Sequence, residues 1–172
     1  MTPEPLRYDD ADLRRILQEV RTIAMVGAST AEMRPSYFAM RYLQGKGYRV
    51  LPVNPRAAGQ TLLGETVHPD LASLPVVPDM VSIFRRSEDA GAVADEAVRM
   101  GIKVVWMQLG VRDDAAAERA RVAGAEVVMN RCPKIEYGRL FGELGWLGVN
   151  RGIVSAKRGH AVQLKRKKGG LV

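Results

Sequence analysis

The chain has 172 residues, of which 47% are hydrophobic, with one cysteine, two histidines and a net charge of +7. This composition is that of a single globular domain and excludes a disordered or fibrous chain. No stretch approaches the roughly 18 uninterrupted apolar residues of a membrane helix, and the acidic N-terminus is unlike a secretory signal. One thiol cannot form an internal disulfide, and with two histidines it makes a poor metal cluster. We therefore expect a soluble, cytoplasmic protein without a bound metal and without a membrane partner.

The excess positive charge is confined to the end of the chain. Seven basic residues and no acidic residue follow Glu143. Removing these seven from the 26 basic residues leaves 19, which balance the 19 acidic residues. A block of like charge at a chain end is typically solvated. We therefore expect a folded domain at 1–150 and a basic, mobile tail at 151–172, and contact of the tail with nucleic acid or another polyanion stays open.

The predicted elements begin with a helix in which Leu13, Ile16, Leu17 and Val20 follow helical spacing after an N-cap at Asp9 or Asp10. Strand patterns then occur at 23–27, 48–53, 80–84, 103–107 and 126–129, and helix patterns at 35–44, 90–100 and 113–123. A longer excursion, 56–79, contains a short edge piece at 62–67. The alternation predicts right-handed βαβ units. The expected fold is therefore α/β, a Rossmann-like, doubly wound parallel sheet of about five strands flanked by helices.

Five turns follow the five predicted strands, at the edge where open parallel sheets bind ligands. They carry hydroxyl, amide and guanidinium groups and no carboxylate, so they predict a surface for an anion. The turns are Gly27-Ala28-Ser29-Thr30, Asn54-Pro55-Arg56, Phe84-Arg85-Arg86-Ser87, Met107-Gln108-Leu109-Gly110 and Asn130-Arg131-Cys132-Pro133.

The first of these turns predicts a phosphate site. Gly27 permits a tight turn, and Ser29 and Thr30 offer hydroxyl donors beside N–H groups that we expect to be free near a helix start. The helix dipole favours a phosphate at such a position. The same residues are also compatible with a compact βα turn that binds nothing, and both interpretations stay open.

The sequence does not fit the usual dinucleotide-binding pattern. Gly27 is not followed by the further glycines of G-x-G-x-x-G, and the second strand ends in Asn54-Pro55, where an acidic residue would bind a ribose. NAD is therefore disfavoured, whereas NADP stays open because Arg56 could meet a 2′-phosphate. Arg34, Arg85 and Arg86 are further phosphate candidates, with solvated surface charge as the alternative.

Five segments of the chain, in register, resemble the small CoA-binding proteins related to the N-terminal domain of the succinyl-CoA synthetase α-subunit. They cover roughly residues 23–133, and they are Val26-Gly27-Ala28-Ser29, 47–55, Pro78-Asp79-Met80-Val81, 105–110 and Asn130-Arg131-Cys132-Pro133. The resemblance implies a Rossmann-like sheet that holds coenzyme A. It places Gly27 to Ser29 near the pyrophosphate and Asn54-Pro55-Arg56 near the adenosine. Phe84-Arg85-Arg86 and Met107-Gln108 would then flank the rest of the ligand.

The sequence predicts no catalytic residue. The related ligase carries its phosphohistidine in a second domain, which we do not expect here, and neither His68 nor His160 matches that role. Cys132 is interpreted as an inert, half-buried thiol, with a mixed disulfide to the CoA thiol as the alternative. The apolar segment 138–148 leaves a homodimer open. We therefore expect a module that binds CoA or acyl-CoA without catalysis, the alternatives being an enzyme that uses NADP or acyl-CoA and a polyanion-binding protein acting through its tail.

Overall fold

The structure, a computed structural model, describes residues 3–142 and, beyond them, the backbone of two strands. The helices are α1 (Asp10–Glu19), α2 (Pro35–Gly45), α3 (Ser87–Arg99), α4 (Asp114–Val122) and α5 (Pro133–Leu140). The strands are β1 (Thr22–Val26), β2 (Arg49–Val53), β3 (Thr61–Leu62), β4 (Glu65–Thr66), β5 (Met80–Ile83), β6 (Val104–Met107), β7 (Glu126–Val128), β8 (Ile153–Lys157) and β9 (His160–Gln163).

Every helix and strand predicted from the repeating patterns is present, with small differences in its bounds. Asp9 is the N-cap of α1, and its carboxylate accepts a hydrogen bond of 2.7 Å from the Ala11 N–H. The edge piece predicted at 62–67 is instead two short antiparallel strands, β3 and β4. The turn between them is tight, because Leu63 and Gly64 both have positive φ values, 47° and 83°.

Five strands form one parallel sheet in the order β2-β1-β5-β6-β7. One face packs against α1, α2 and α5, through residues such as Leu13, Met40 and Tyr137. The other face packs against α3 and α4, where small side chains such as Ala94 and Ala117 allow close approach. The chain leaves β1 toward the first face and β5 toward the second, so the connections diverge between these two strands. The predicted doubly wound α/β fold is confirmed.

The C-terminal part of the chain is described only as far as the backbones of β8 and β9, which pair in antiparallel fashion. Most of the predicted tail and of the apolar segment 138–148 lies outside the described residues. The mobile tail, its contact with a polyanion and a homodimer therefore stay predictions. Within the described residues, none of the helices has the length and apolar character needed to cross a membrane.

Candidate ligand site at the carboxyl edge of the sheet

The turn after β1 lies directly against the turn after β5. Gly27 has a φ of 89°, and a Cβ atom there would lie 2.3 Å from the carbonyl oxygen of Phe84. No side chain fits at that distance, so glycine is required by the neighbouring strand before any ligand is considered. The two turns meet at the switch point, where the connections diverge and where open α/β sheets bind ligands, and we refer to this place as the crevice.

Three of the four backbone N–H groups of the first turn are not free, which corrects the sequence expectation for Gly27, Ala28 and Ser29. Gly27 and Ala28 donate to the carbonyl of Val53, at 2.9 and 3.3 Å, and Ser29 donates to the hydroxyl of Ser36 at 3.0 Å. The turn sits against the end of β2 and the start of α2, and these neighbours use its donors. A phosphate at this turn would therefore depend on side chains and on the Thr30 N–H, for which no acceptor is found among the described residues.

Asn54 ties the turns after β1 and β2 together. Its amide nitrogen donates to the carbonyl of Ala28 at 2.8 Å, and its amide oxygen accepts from the Arg56 N–H at 3.0 Å. The second contact caps the short 3₁₀ turn Pro55–Ala57. Asn54, which the sequence analysis placed near adenosine, thus has both ends of its side chain engaged in fixing the site.

Similar ties join the remaining turns. The Ser87 hydroxyl, from the turn after β5, accepts from the Arg112 N–H at 3.0 Å. Asn130, at the end of β7, accepts from the Gly110 N–H at 2.7 Å and adopts a positive φ of 53°. Short polar side chains therefore join the turns after β1 and β2, and separately those after β5, β6 and β7.

All four candidate arginines are exposed, but they are not equivalent. Arg86 pairs with Glu88 at 2.6 Å and Asp89 at 3.3 Å, and Arg85 lies 3.9 Å from Asp89. Glu88 and Asp89, which follow this turn in the first turn of α3, therefore neutralise part of its charge. Of the four candidates, Arg34 and Arg56 form no ion pair with another described residue. Their guanidinium groups are therefore available to bind an anion.

The remaining predicted site residues differ in how accessible they are. Ala28 and Met107 are buried, at 1% and 0% exposure, so they belong to the core beneath the site. Pro55 and Thr30 are exposed, and Phe84 and Gln108 are partly exposed. The structure therefore brings together the two loops after β1 and β2, with Phe84 and Gln108 along the adjoining strands.

His68 also lies at the carboxyl edge of the sheet, a position that the sequence analysis did not predict for it. Its N–H donates to the Pro52 carbonyl and its carbonyl accepts from the Asn54 N–H, both at 2.9 Å. It also forms an isolated parallel bridge with Val53. The excursion, 56–79, therefore returns to the end of β2. No local sequence pattern predicts such a long-range pairing.

Cys132 is the residue before α5, which begins at Pro133, and at 7% exposure it is buried and not half-buried as the sequence analysis expected. Burial raises the pKa of the nearby Tyr42 phenol to about 12, with smaller contributions from Tyr137, Tyr48 and Cys132. Tyr42 is therefore protonated at neutral pH.

Arg131 is turned to the N-terminal segment, since it donates to the Leu6 carbonyl at 3.2 Å and lies 5.4 Å from the Tyr8 ring centre.

Two cavities of about 340 Å³ lie away from this edge. One follows the outer strand β7 beside Tyr8 and Arg121, and the other is at the amino ends of the strands, beside Pro78 and Lys103. The candidate site lies instead at the crevice, where the neighbouring loops carry the exposed Thr30, Arg34 and Arg56 and the partly exposed Gln108.

These features define a doubly wound α/β domain with a polar crevice at its switch point. A family model described as the CoA binding domain matches residues 21–138, and the chain belongs to this family. The Bacillus subtilis protein YneT is 32% identical over 127 residues, which cover 74% of this chain and 93% of YneT.

Two solved structures extend the comparison. A Thermus thermophilus protein is 36% identical, with a TM-score of 0.74, and the match covers 78% of this chain and 100% of that protein. A Pyrococcus horikoshii protein is 34% identical, with a TM-score of 0.74, and the match covers 81% of this chain and 100% of that one. The resemblance stated from sequence motifs is therefore confirmed at the level of the family.

Proposed function

We propose that the protein binds coenzyme A or an acyl-CoA in the crevice at the carboxyl edge of its sheet. The observation that carries the proposal is the position of Arg34 and Arg56, two exposed arginines without ion pairs among the described residues, on the loops beside the switch point. CoA carries its phosphates near the adenosine end, and guanidinium groups recognise phosphate oxygens well. Membership of a CoA-binding family supports the same ligand.

Calorimetric titration with CoA, NAD and NADP tests the proposal. We expect CoA to bind at least tenfold more tightly than either dinucleotide, because the chain lacks the dinucleotide glycine pattern and has Asn54 where an acidic residue would bind ribose. Arg56→Ala should weaken CoA binding several-fold. The matched control is Arg99→Ala, which removes the same charge from the far end of α3. Tighter binding of NADP than of CoA would contradict the proposal.

The proposed role includes no catalysis by this chain. A group-transfer reaction needs a nucleophile with an adjacent base. Around the crevice, Glu88 and Asp89 are engaged by Arg86, Cys132 is buried, and the His68 side chain makes no hydrogen bond to a nucleophile among the described residues. This arrangement supports a binding module that carries or senses its ligand.

The absence of turnover is tested by incubating the protein with CoA, ATP and a panel of small carboxylic acids. We expect neither a thioester nor a phosphorylated protein, measured by mass spectrometry. Formation of either product, lost on changing His68 or Cys132 to alanine, would show that the chain is an enzyme.

A further inference from the structure

Helix α2 lies in a stretch of the chain that carries only positive charge. Residues 33–64 contain five basic residues and no acidic one; the basic residues are Arg34, Arg41, Lys46, Arg49 and Arg56. The chain before Arg151 is neutral as a whole, with 19 basic and 19 acidic residues, so this stretch is its positive part. A surface of one sign attracts polyanions over a long range.

The solvent side of α2 presents an aromatic ring next to a guanidinium group. Phe38 and Arg41 are three residues apart in the helix, so their side chains lie on the same side of it. Both are exposed, Phe38 to 45%, and Phe38 is the one exposed aromatic residue in the described part of the chain. Arg34, the N-cap of α2, precedes Phe38 by four residues and adds a cation at the crevice end of the helix.

Two lysines extend this alternation of rings and cations. The Lys134 Nζ, from α5, lies 5.9 Å from the centre of the Phe38 ring and 5.7 Å from the centre of the Tyr42 ring. The Lys46 Nζ, at the C-terminal end of α2, lies 5.2 Å from the Tyr42 ring centre. We call Phe38, Arg41, Lys46 and Lys134 the α2–α5 surface.

Carboxylates do not neutralise the cations beside Phe38. Neither Arg41 nor Lys134 forms an ion pair with another described residue. The single carboxylate of α5, on Glu136, is buried and is engaged by Arg139 at 2.6 Å. Arg86 differs, because Glu88 pairs with it at 2.6 Å. The charge of the α2–α5 surface is therefore available to a large anion.

We propose that the α2–α5 surface binds single-stranded nucleic acid, with phosphates on Arg41 and Lys134 and a base stacked on Phe38. Proteins that bind single strands without sequence preference combine a positive surface with aromatic rings on which bases stack. An anionic membrane offers the same charge, but a helix that lies on a membrane needs a broad apolar face, and cations flank Phe38 on its side of α2. This activity is separate from the proposed binding of CoA.

Fluorescence anisotropy of a labelled oligothymidylate with the full chain tests the proposal. Phe38→Ala should weaken binding about tenfold, the value of one stacked base. Phe38→Tyr keeps a ring and should bind like the original protein. Phe38→Leu keeps an apolar side chain without a ring, so it should lose as much affinity as the alanine variant.

A salt titration tests the phosphate contact. Arg41→Ala should reduce the slope of log affinity against log salt concentration by about 0.7, the contribution of one phosphate on a single strand. The matched control is Arg121→Ala, which removes an exposed charge from the last turn of α4, on the other face of the sheet, and should leave the slope unchanged. The Phe38 and Arg41 variants should keep the melting temperature and the CoA affinity of the original protein, since both residues are exposed and neither belongs to the crevice.

Three results would overturn the inference. Unchanged oligonucleotide affinity in the Phe38 and Arg41 variants would place the strand on the basic tail alone. Displacement of the oligonucleotide by CoA would place it at the crevice. Binding to phosphatidylserine vesicles that Phe38→Leu retains, without binding to the oligonucleotide, would assign the α2–α5 surface to a membrane.

Discussion

Gly27→Ala is expected to destabilise the protein by about 2–4 kcal/mol. The new Cβ would lie 2.3 Å from the carbonyl oxygen and 2.9 Å from the carbonyl carbon of Phe84, and both are backbone atoms at the end of β5. Relieving the overlap requires β1 and β5 to move apart, which costs roughly 1–3 kcal/mol by comparison with overpacked cores. The positive φ of 89° adds about 1 kcal/mol for any residue with a Cβ. Urea denaturation measures the sum.

Gly59→Ala separates these two contributions. Gly59 has nearly the same φ, 83°, but a Cβ there would meet nothing within 4 Å. We expect this variant to lose only about 1 kcal/mol, the cost of the backbone conformation. Equal losses at Gly27 and Gly59 would show that the contact with Phe84 does not constrain the crevice.

Asn54→Asp is expected to damage both the fold and the ligand site. The carboxylate would retain an acceptor for the Arg56 N–H but would lose the donor to the Ala28 carbonyl, leaving two oxygen atoms facing each other across a contact that is now 2.8 Å. Loss of this partly buried hydrogen bond, which leaves its acceptor unpaired, costs about 1–2 kcal/mol. Because the contact joins the turns after β1 and β2, we also expect CoA affinity to fall about tenfold or more.

Asn130→Asp is the matched control, since it adds the same charge at the same edge of the sheet. Asn130 uses its side-chain oxygen, which accepts from the Gly110 N–H, and an aspartate retains that acceptor. Aspartate also tolerates the positive φ at this position. We expect a stability change below about 0.5 kcal/mol. If the two variants lost CoA affinity equally, added negative charge rather than the Asn54 contact would account for the effect.

The two asparagines show where sequence reasoning reaches its limit. Asn54 and Asn130 were both identified from their place after predicted strands, and the structure puts both at the carboxyl edge. Their roles differ because one donates to a residue 26 positions away and the other accepts from one 20 positions away. Pairings at such separations leave no trace in a local pattern.

The sequence by itself determined the alternation of strands and helices and the parallel sheet, and from these it predicted the edge at which a ligand would bind. These features follow from the short-range spacing of apolar residues and from the turn chemistry of Gly, Pro and Asn. Both patterns are local and do not depend on residues that are distant in the sequence. The family resemblance likewise depended on local segments in order along the chain.

Only the tertiary structure decided which of the expected site groups are available. The N–H groups of Gly27 and Ser29 are used by Val53 and Ser36, and the charge of Arg86 is shared with Glu88. A residue type fixes what a group can donate or accept, but burial and competing partners fix whether it is free to do so. Those depend on chain segments that meet only when the sheet has formed.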